Sequence, residues 1–453
     1  MLFYTLAKPF VQVALRVFFR RIEIRHPERL TLPGPLLLAG NHPNTLMDPL
    51  LVAVNRREPI AFLAKSTFFK NPVSRAILES GNSIPIYRRQ DAGSAEDGPV
   101  TPEQLAAQNE ATFGRCYDYL GEGGTIMIFP EGTSVSERKL RTLKTGAARI
   151  ALGAEARHGF KLGLQVLPVA INYFDPSRFR SDVLLNVAPP IVVAHYAEAY
   201  AQDPAAAADA LTEAIRQALE RRLVITRDAA EDVLVQQIER TFGDQLIPDD
   251  DPSTLYDNFQ LSQTLLDAVA WFERHAPAQL HAMRADFEAY LQALRRHRLS
   301  DEALHSQQQG TRAGLLNLVL GLPVWLYGVV NNYLPYKLPS LVAQRATREV
   351  EFVAPIMMVV GMLTFPLAYV LQAMVVHHFV QKGWLTGLYL LSLPLTGFYA
   401  LSYWETLAGR LRRLRVLRLF RRDPGLGREL LAQRAAVVAA LEEARRAYLV
   451  KRP

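Results

Sequence analysis

Gly40-Asn41-His42-Pro43-Asn44-Thr45-Leu46-Met47-Asp48-Pro49 is the stretch on which the reading of this chain turns. Ahead of it runs Pro35-Leu36-Leu37-Leu38-Ala39, a short apolar run that reads as a buried strand. Gly40 and Pro43 force a turn, and helical spacing resumes over Thr45–Asn55 with Asn44 as the expected N-cap. A histidine and an aspartate thus follow a strand's carboxyl end, where open α/β sheets place their chemistry. Residues six apart in a regular helix point about 120° away from each other, because each residue turns about 100°. His42 and Asp48 therefore meet only if the segment turns between them, as Pro43 suggests. An imidazole held by a carboxylate is a general base with its tautomer fixed, able to take a hydroxyl proton. The plain alternative is a surface histidine and a helix aspartate that never meet.

The chain has 453 residues, more than one ordinary domain, so two or three units are expected. Its apolar residues concentrate between Gly314 and Trp404, which predicts a soluble part followed by a membrane part. The net charge of +7 suits nucleic acid or an anionic membrane surface. Because the cations cluster beside the apolar segments, anionic membrane lipids are the expected partner and nucleic acid is not. A single cysteine, Cys116, excludes an intramolecular disulfide and a Cys-rich metal site, and no metal is expected. No A-x-A-type cleavage site follows the first apolar residues, so no removable signal peptide is expected.

Five regions follow from the pattern. Residues 1–32 hold an apolar helix with Lys8, Gln12, Arg16 and Arg20 along one stripe, which reads as an interfacial anchor or as a helix docked on the protein's own core. Residues 33–203 alternate strands and helices: strands Leu36–Ala39, Ile60–Leu63, Ser83–Ile86, Thr125–Phe129, Gln165–Asn172 and Val183–Val187, and helices Thr45–Asn55, Pro72–Ser80, Pro102–Leu120 and Lys144–His158. That pattern predicts an α/β fold, a mixed sheet flanked by helices, with Gln90–Thr101 as a loop. Residues 204–310 read as a helical accessory region, in which Asp249-Asp250-Asp251-Pro252 is a solvated acidic turn rather than a metal site. Residues 311–408 form a membrane domain: Val353–Val380 and Trp384–Trp404 are long enough to cross a bilayer, while Gly314–Val330, interrupted by Pro323, should dip in without crossing. Residues 409–453 carry Arg410, Arg412, Arg413, Arg415, Arg418, Arg421 and Arg422, a juxtamembrane basic helix that wants the cytoplasm. Two crossings place residues 33–203 on the cytoplasmic side as well.

Three further motifs fall at strand ends. Gly81-Asn82-Ser83-Ile84-Pro85-Ile86-Tyr87-Arg88-Arg89 ends in two arginines, whose planar guanidinium groups suit phosphate, although a solvated strand end reads equally well. Phe129-Pro130-Glu131-Gly132-Thr133-Ser134 offers a carboxylate for a substrate hydroxyl and a glycine that lets the backbone approach, with Lys139, Arg141 and Lys144 close behind. Val166-Leu167-Pro168-Val169-Ala170 carries a proline inside a strand.

Together these residues resemble the glycerophospholipid acyltransferase family, whose members carry an Asn-His motif with a downstream Asp, then Gly…Ile-x-Arg, Phe-Pro-Glu-Gly-Thr-Ser and a proline-bearing strand. All four occur in order between Asn41 and Ala170. The resemblance implies transfer of an acyl group from a thioester, acyl-CoA or acyl-carrier protein, to a glycerol phosphate hydroxyl, with no cofactor. Carried over, His42 and Asp48 are catalytic, and Arg88, Glu131, Gly132, Thr133 and Lys144 bind the acceptor. Five residues separate His42 from Asp48, where the common family spacing is four. That form, with the long membrane tail, is most similar to the fungal branch that acylates glycerol 3-phosphate and dihydroxyacetone phosphate. Acylation at the first hydroxyl of glycerol 3-phosphate is the expected reaction, with lysophosphatidate as the alternative acceptor.

The chemistry asks for little else. A thiolate leaving group, with a pKa near about 8.5, needs no strong general acid. A base for the alcohol, donors for the developing oxyanion and a phosphate clamp suffice. Gly-x-Ser-x-Gly and the phosphate-binding glycine loops are absent, which argues against a serine hydrolase or a nucleotide enzyme. A non-enzymatic membrane scaffold or transporter component is the remaining rival. The apolar segments hold almost no ionisable residues beyond His377 and His378, which counts against it.

Overall fold

The computed structural model describes residues 2–87, 102–246, 254–305 and 314–451. The chain divides into two compact units: Met1–Ile225 with Leu341–Val359, and Thr226–Ser340 with Val360–Pro453.

In the first unit, eight strands form one mixed sheet: β1 (Arg21–Arg25), β2 (Leu36–Gly40), β3 (Ile60–Lys65), β4 (Ser83–Ile86), β5 (Thr125–Ile128), β6 (Gln165–Tyr173), β7 (Asp182–Val187) and β8 (Ile191–Val192). Their order is β1-β7-β6-β2-β5-β3-β4, with β8 paired to β6. Strands β2 to β6 run parallel, β7 and β8 run antiparallel to β6, and β1 runs parallel to β7. Helices α1 (Leu2–Phe18), α2 (Met47–Asn55), α3 (Pro72–Ser80), α4 (Pro102–Gly121), α5 (Gly146–Arg157), α6 (Ala197–Gln202) and α7 (Pro204–Glu220) accompany the sheet. Leu36, Leu37, Leu38 and Ala39 are all fully buried, so successive side chains on both faces of β2 meet core. This explains why the run is continuously apolar rather than alternating.

All six anticipated strands are present, and the sheet also takes in β1, a segment assigned from sequence to the N-terminal anchor. Its Arg-Ile-Glu-Ile-Arg alternation suits an edge strand. Asp182, at the start of the neighbouring β7, accepts hydrogen bonds from the guanidinium groups of Arg20 and Arg21. Burial would raise the Asp182 carboxyl, but the two arginines outweigh it and hold the group below the usual carboxylate range.

Helix α1 turns its greasy side outward: Phe3, Leu6, Phe10 and Val13 are exposed, while Leu15, Phe18 and Phe19 are buried. Lys8 points the other way and donates to the backbone carbonyls of Arg56 and Arg57. The turn into β6 is set by the fully buried Glu155 of α5, whose carboxylate accepts from the amides of Leu162 and Leu164.

The second unit is helical, built from α8 (Ala229–Leu246), α9 (Leu255–His275), α10 (Pro277–Arg296), α11 (Asp301–His305), α12 (Gly314–Ala346), α13 (Val350–Val380), α14 (Gly383–Arg422) and α15 (Pro424–Lys451), the facing ends of α12 and α13 belonging to the first unit. The acidic turn Asp249–Asp251 and the loop Gln90–Thr101 lie outside the described residues.

The short, interrupted segment anticipated over Gly314–Val330 is instead the first half of α12, which runs for 33 residues through Pro323, Pro335 and Pro339. Proline removes the amide that would bond the carbonyl four residues back. Pro335 leaves Asn331 O without that donor, and Gln372 Nε2 donates to it at 2.8 Å. Pro339 does the same to Pro335 O, which accepts from Thr364 Oγ1 at 3.4 Å. Side chains of α13 thus replace the donors that Pro335 and Pro339 delete, and the helix continues there. Helices α13 and α14 are long and apolar enough to cross a membrane, and their large apolar side chains, including Leu363, Phe379 and Leu395, are exposed.

Candidate active site

Strand β2 lies between β6 and β5, and the three run parallel, so their carboxyl ends open onto one edge of the sheet. The ladder between β2 and β6 ends with Gly40 opposite Val169. Asn41 then extends it with its side chain: Nδ2 donates to Ile171 O at 3.0 Å, and Oδ1 accepts from Ile171 N at 2.8 Å. An amide reproduces both halves of a backbone pair, so the chain leaves the sheet at a fixed angle and delivers His42 beyond its edge.

The turn anticipated at Pro43 is present and brings the pair together. His42 Nδ1 lies 2.8 Å from Asp48 Oδ2, with the Asp48 side chain fully buried and the His42 side chain 20% exposed. Asn44 does not cap α2 as expected. The roles are reversed: Asp48 reaches back so that Oδ2 accepts from Asn44 N at 2.8 Å, and Asn44 Nδ2 donates to Pro176 O. Helix α2 then begins at Met47, and Thr45 takes a positive φ of 35°, uncommon for a β-branched residue. It is held by Ser134 Oγ, which accepts from its amide, and by Glu351 O, which accepts from its hydroxyl. The other oxygen of Asp48, Oδ1, accepts from Tyr173 OH at 2.7 Å.

The segment after β5 closes against this turn. Phe129 stacks on the imidazole of His42, with centroids 3.9 Å apart and rings 11° from parallel. Val135 N donates to His42 O at 3.1 Å. Glu131 is buried, and both its oxygens accept from backbone: Oε1 from His42 N at 3.0 Å and Oε2 from Arg141 N at 3.3 Å. Burial raises its carboxyl from the ordinary range, opposed by those two amides. Glu131 therefore ties the histidine loop to the Arg141 loop. Gly132 has φ +70°, and a Cβ there would sit 2.7 Å from Lys144 Nζ. The positive φ favours glycine, and the end of the Lys144 side chain lies over it. Lys144 N donates to Pro130 O at 2.8 Å, which fixes the root of that side chain. Arg88 and Arg89 lie outside the described residues.

With Nδ1 facing Asp48, the imidazole presents Nε2 as its free base. No nucleophilic serine or cysteine is needed for hydroxyl acylation by such a base. Cys116 is buried in α4, and burial pushes its thiol up to about 12, which leaves it unreactive. Among the described residues no cluster of His, Cys, Asp or Glu could hold a metal ion. A cavity of about 390 Å³ lies in the helical unit among Leu234, Ile238, Leu265, Phe272 and Phe287, and none of the site residues lines it.

Sequence reasoning missed Asn41 as a ladder-extending residue and Tyr173 altogether. A buried tyrosine at a strand's end carries no local signal of its partner, since the strand pattern accounts for it equally well.

Residues 21–172 match the family model described as Acyltransferase, and the chain carries a domain of that family. One curated relative is glycerol-3-phosphate O-acyltransferase 1 of Saccharomyces cerevisiae, 22% identical over 321 residues, which are 53% of this chain and 42% of that protein. Another is the 1-acyl-sn-glycerol-3-phosphate acyltransferase of Borreliella burgdorferi, 26% identical over 176 residues, which are 39% of this chain and 60% of that one. The match thus spans less than two thirds of either relative's length. Among solved structures, the 1-acyl-sn-glycerophosphate acyltransferase from Thermotoga maritima is similar over 48% of this chain and 77% of that one, with a TM-score of 0.34 and 19% identity.

Proposed function

We propose that this protein is a membrane-bound acyltransferase that moves a fatty acyl group from a thioester, acyl-CoA or acyl-carrier protein, to the first hydroxyl of glycerol 3-phosphate. The observation that carries the reading is the 2.8 Å contact between His42 Nδ1 and the buried Asp48 at the carboxyl end of β2. His42 Nε2 takes the hydroxyl proton as the oxygen attacks the thioester carbonyl. The tetrahedral intermediate then collapses with cleavage of the C–S bond, and the leaving thiolate takes up a proton. Asp48 fixes the tautomer and stabilises the imidazolium that forms. Lys144, lying over Gly132, and Thr133 face the acceptor phosphate in this scheme, and Arg88 joins them on the strength of the motif. Glu131 acts by holding the His42 loop.

The outward apolar face of α1, with α13 and α14 as the two crossings, holds the site at a membrane surface on the cytoplasmic side, where the basic stretch Arg410–Arg422 meets anionic lipids. Lysophosphatidate is the second reading for the acceptor. It is favoured by the Borreliella relative's name and by the exposed Phe3, Leu6, Phe10 and Val13, which suit an acceptor that resides in the bilayer. A panel of acyl-CoA and acyl-carrier-protein donors against glycerol 3-phosphate, dihydroxyacetone phosphate and lysophosphatidate, on purified protein, tests both. A higher kcat/KM for lysophosphatidate overturns the first choice of acceptor, and no thiol release with any pair overturns the activity.

A further inference from the structure

We infer that Tyr173 is a positioning residue for the His42–Asp48 pair, acting through Asp48 and resting on the acyl-transfer reading above. Strand β6 carries both anchors of the catalytic turn. The backbone of Ile171 holds Asn41, the residue before the histidine, and the side chain of Tyr173, two positions on, holds Asp48. The distance between these anchors is set by the strand itself, about 6.6 Å for two residues. The turn from Asn41 to Asp48 is therefore pinned at both ends to one rigid element.

The three hydrogen bonds to Asp48 divide its oxygens. Oδ2 accepts from His42 Nδ1 and Asn44 N, and Oδ1 accepts from Tyr173 OH. A carboxylate rotates about its last bond unless both oxygens are engaged, and Tyr173 engages the one that the histidine and the turn leave open. Tyr173 is itself fixed: its ring is buried, packs 5.8 Å from the Phe19 ring, and sits opposite Val183 in the sheet. Burial, with the carboxylate beside it, raises its hydroxyl well above the ordinary tyrosine range, so it stays a donor wherever the enzyme works. The Tyr173 hydroxyl bonds Asp48, so its effect on the reaction runs through that carboxylate.

The test is a double-mutant cycle on the full chain in detergent, with acyl-CoA and glycerol 3-phosphate. Tyr173→Phe keeps the ring packing and should lower kcat about tenfold, with the KM of both substrates within about twofold. In an Asp48→Ala background the same change should cost less than about twofold, because the group that Tyr173 orients is gone. A purely structural role predicts the same loss in both backgrounds, and that outcome overturns the inference, as does a Tyr173→Phe enzyme within about twofold of wild-type kcat. Should the Phe variant fail to fold, 3,5-difluorotyrosine at position 173 retains the donor and should keep kcat within about threefold, a larger loss counting against the role. His42→Ala separates the two levels. If it retains near-normal turnover, the acyl-transfer mechanism itself fails. If it is inactive while the cycle is additive, only the role of Tyr173 fails.

Discussion

Asp48→Asn isolates charge from shape at the heart of the site. An asparagine oriented with its oxygen in the place of Oδ2 still accepts from His42 Nδ1 and Asn44 N, and its amide nitrogen donates to the oxygen of Tyr173, whose hydroxyl hydrogen is free to turn away. The buried Tyr173 hydroxyl then loses its acceptor, at a cost of about 1–3 kcal/mol, so the variant should unfold a few degrees below wild type while staying folded in the assay. What disappears is the attraction between a buried carboxylate and the imidazolium formed as the hydroxyl proton moves. With Nδ1 2.8 Å from Oδ2 in the structure, the charge centres lie about 4 Å apart, and at an effective dielectric of about 20 that attraction is worth about 4 kcal/mol. Taken entirely from the transition state, this is about a thousandfold in kcat, an upper bound because residual water screens the exposed side of the imidazole. We expect kcat lower by about 10²–10³ with both KM values nearly unchanged. The assay is thiol release from acyl-CoA with saturating glycerol 3-phosphate, run beside thermal unfolding. A folded Asp48→Asn enzyme within about threefold of wild-type kcat refutes the electrostatic role of the pair.

Three other predictions address different parts of the molecule. Gly132→Ala forces a Cβ onto a backbone with φ +70° and against Lys144 Nζ; the αL conformation costs about 1 kcal/mol and the lysine must swing aside, so Tm should fall by a few degrees and acceptor KM should rise about fivefold or more. Unchanged Tm and KM contradict that geometry. Asp182→Asn removes a carboxylate held below its ordinary range by Arg20 and Arg21, so the stabilisation is present above the unfolded-state value near about pH 4 and is lost as pH falls through the lower folded value. The arginines are half-exposed, so the loss at pH 7 should be only about 1 kcal/mol; urea midpoints of variant and wild type should differ from pH 5 to 7 and converge in acid, and a gap that widens in acid contradicts the assignment. For topology, a cysteine placed at Gln344 should resist an impermeant thiol reagent applied outside intact cells and react after permeabilisation, with the buried Cys116 giving little background; labelling from outside contradicts two crossings.

Much of the catalytic unit was legible because its signals are local. Continuously apolar runs bounded by Gly, Pro and Asn mark β2, β5 and β6, and the histidine, glutamate and glycine motifs sit where those runs stop. What was not legible depends on partners distant in the chain. Strand β1 alternates as an edge strand should, but the amphipathic helix before it drew the boundary to residue 33, and only its pairing with β7 places it in the sheet. Lys8 belongs to a polar stripe that suits an interfacial or a docked helix, and the backbone carbonyls its amine finds lie 48 and 49 residues away, beyond any local pattern. Glu131 reads as a substrate ligand because a carboxylate after a strand is often one; its ties to the amides of His42 and Arg141, one on each oxygen, have no local signal in its own motif. The continuity of α12 depends on Gln372 and Thr364 donating to carbonyls that prolines leave unbonded, a compensation no window of α12 itself contains.

The most direct test of the central claim is the rate of thiol release from acyl-CoA by the purified full chain, with and without glycerol 3-phosphate, in wild type and in His42→Ala. The wild-type rate should depend on the acceptor, and His42→Ala should lose about 10²–10⁴-fold while unfolding at the same temperature. A folded His42→Ala protein that releases thiol at near the wild-type, acceptor-dependent rate would contradict the account.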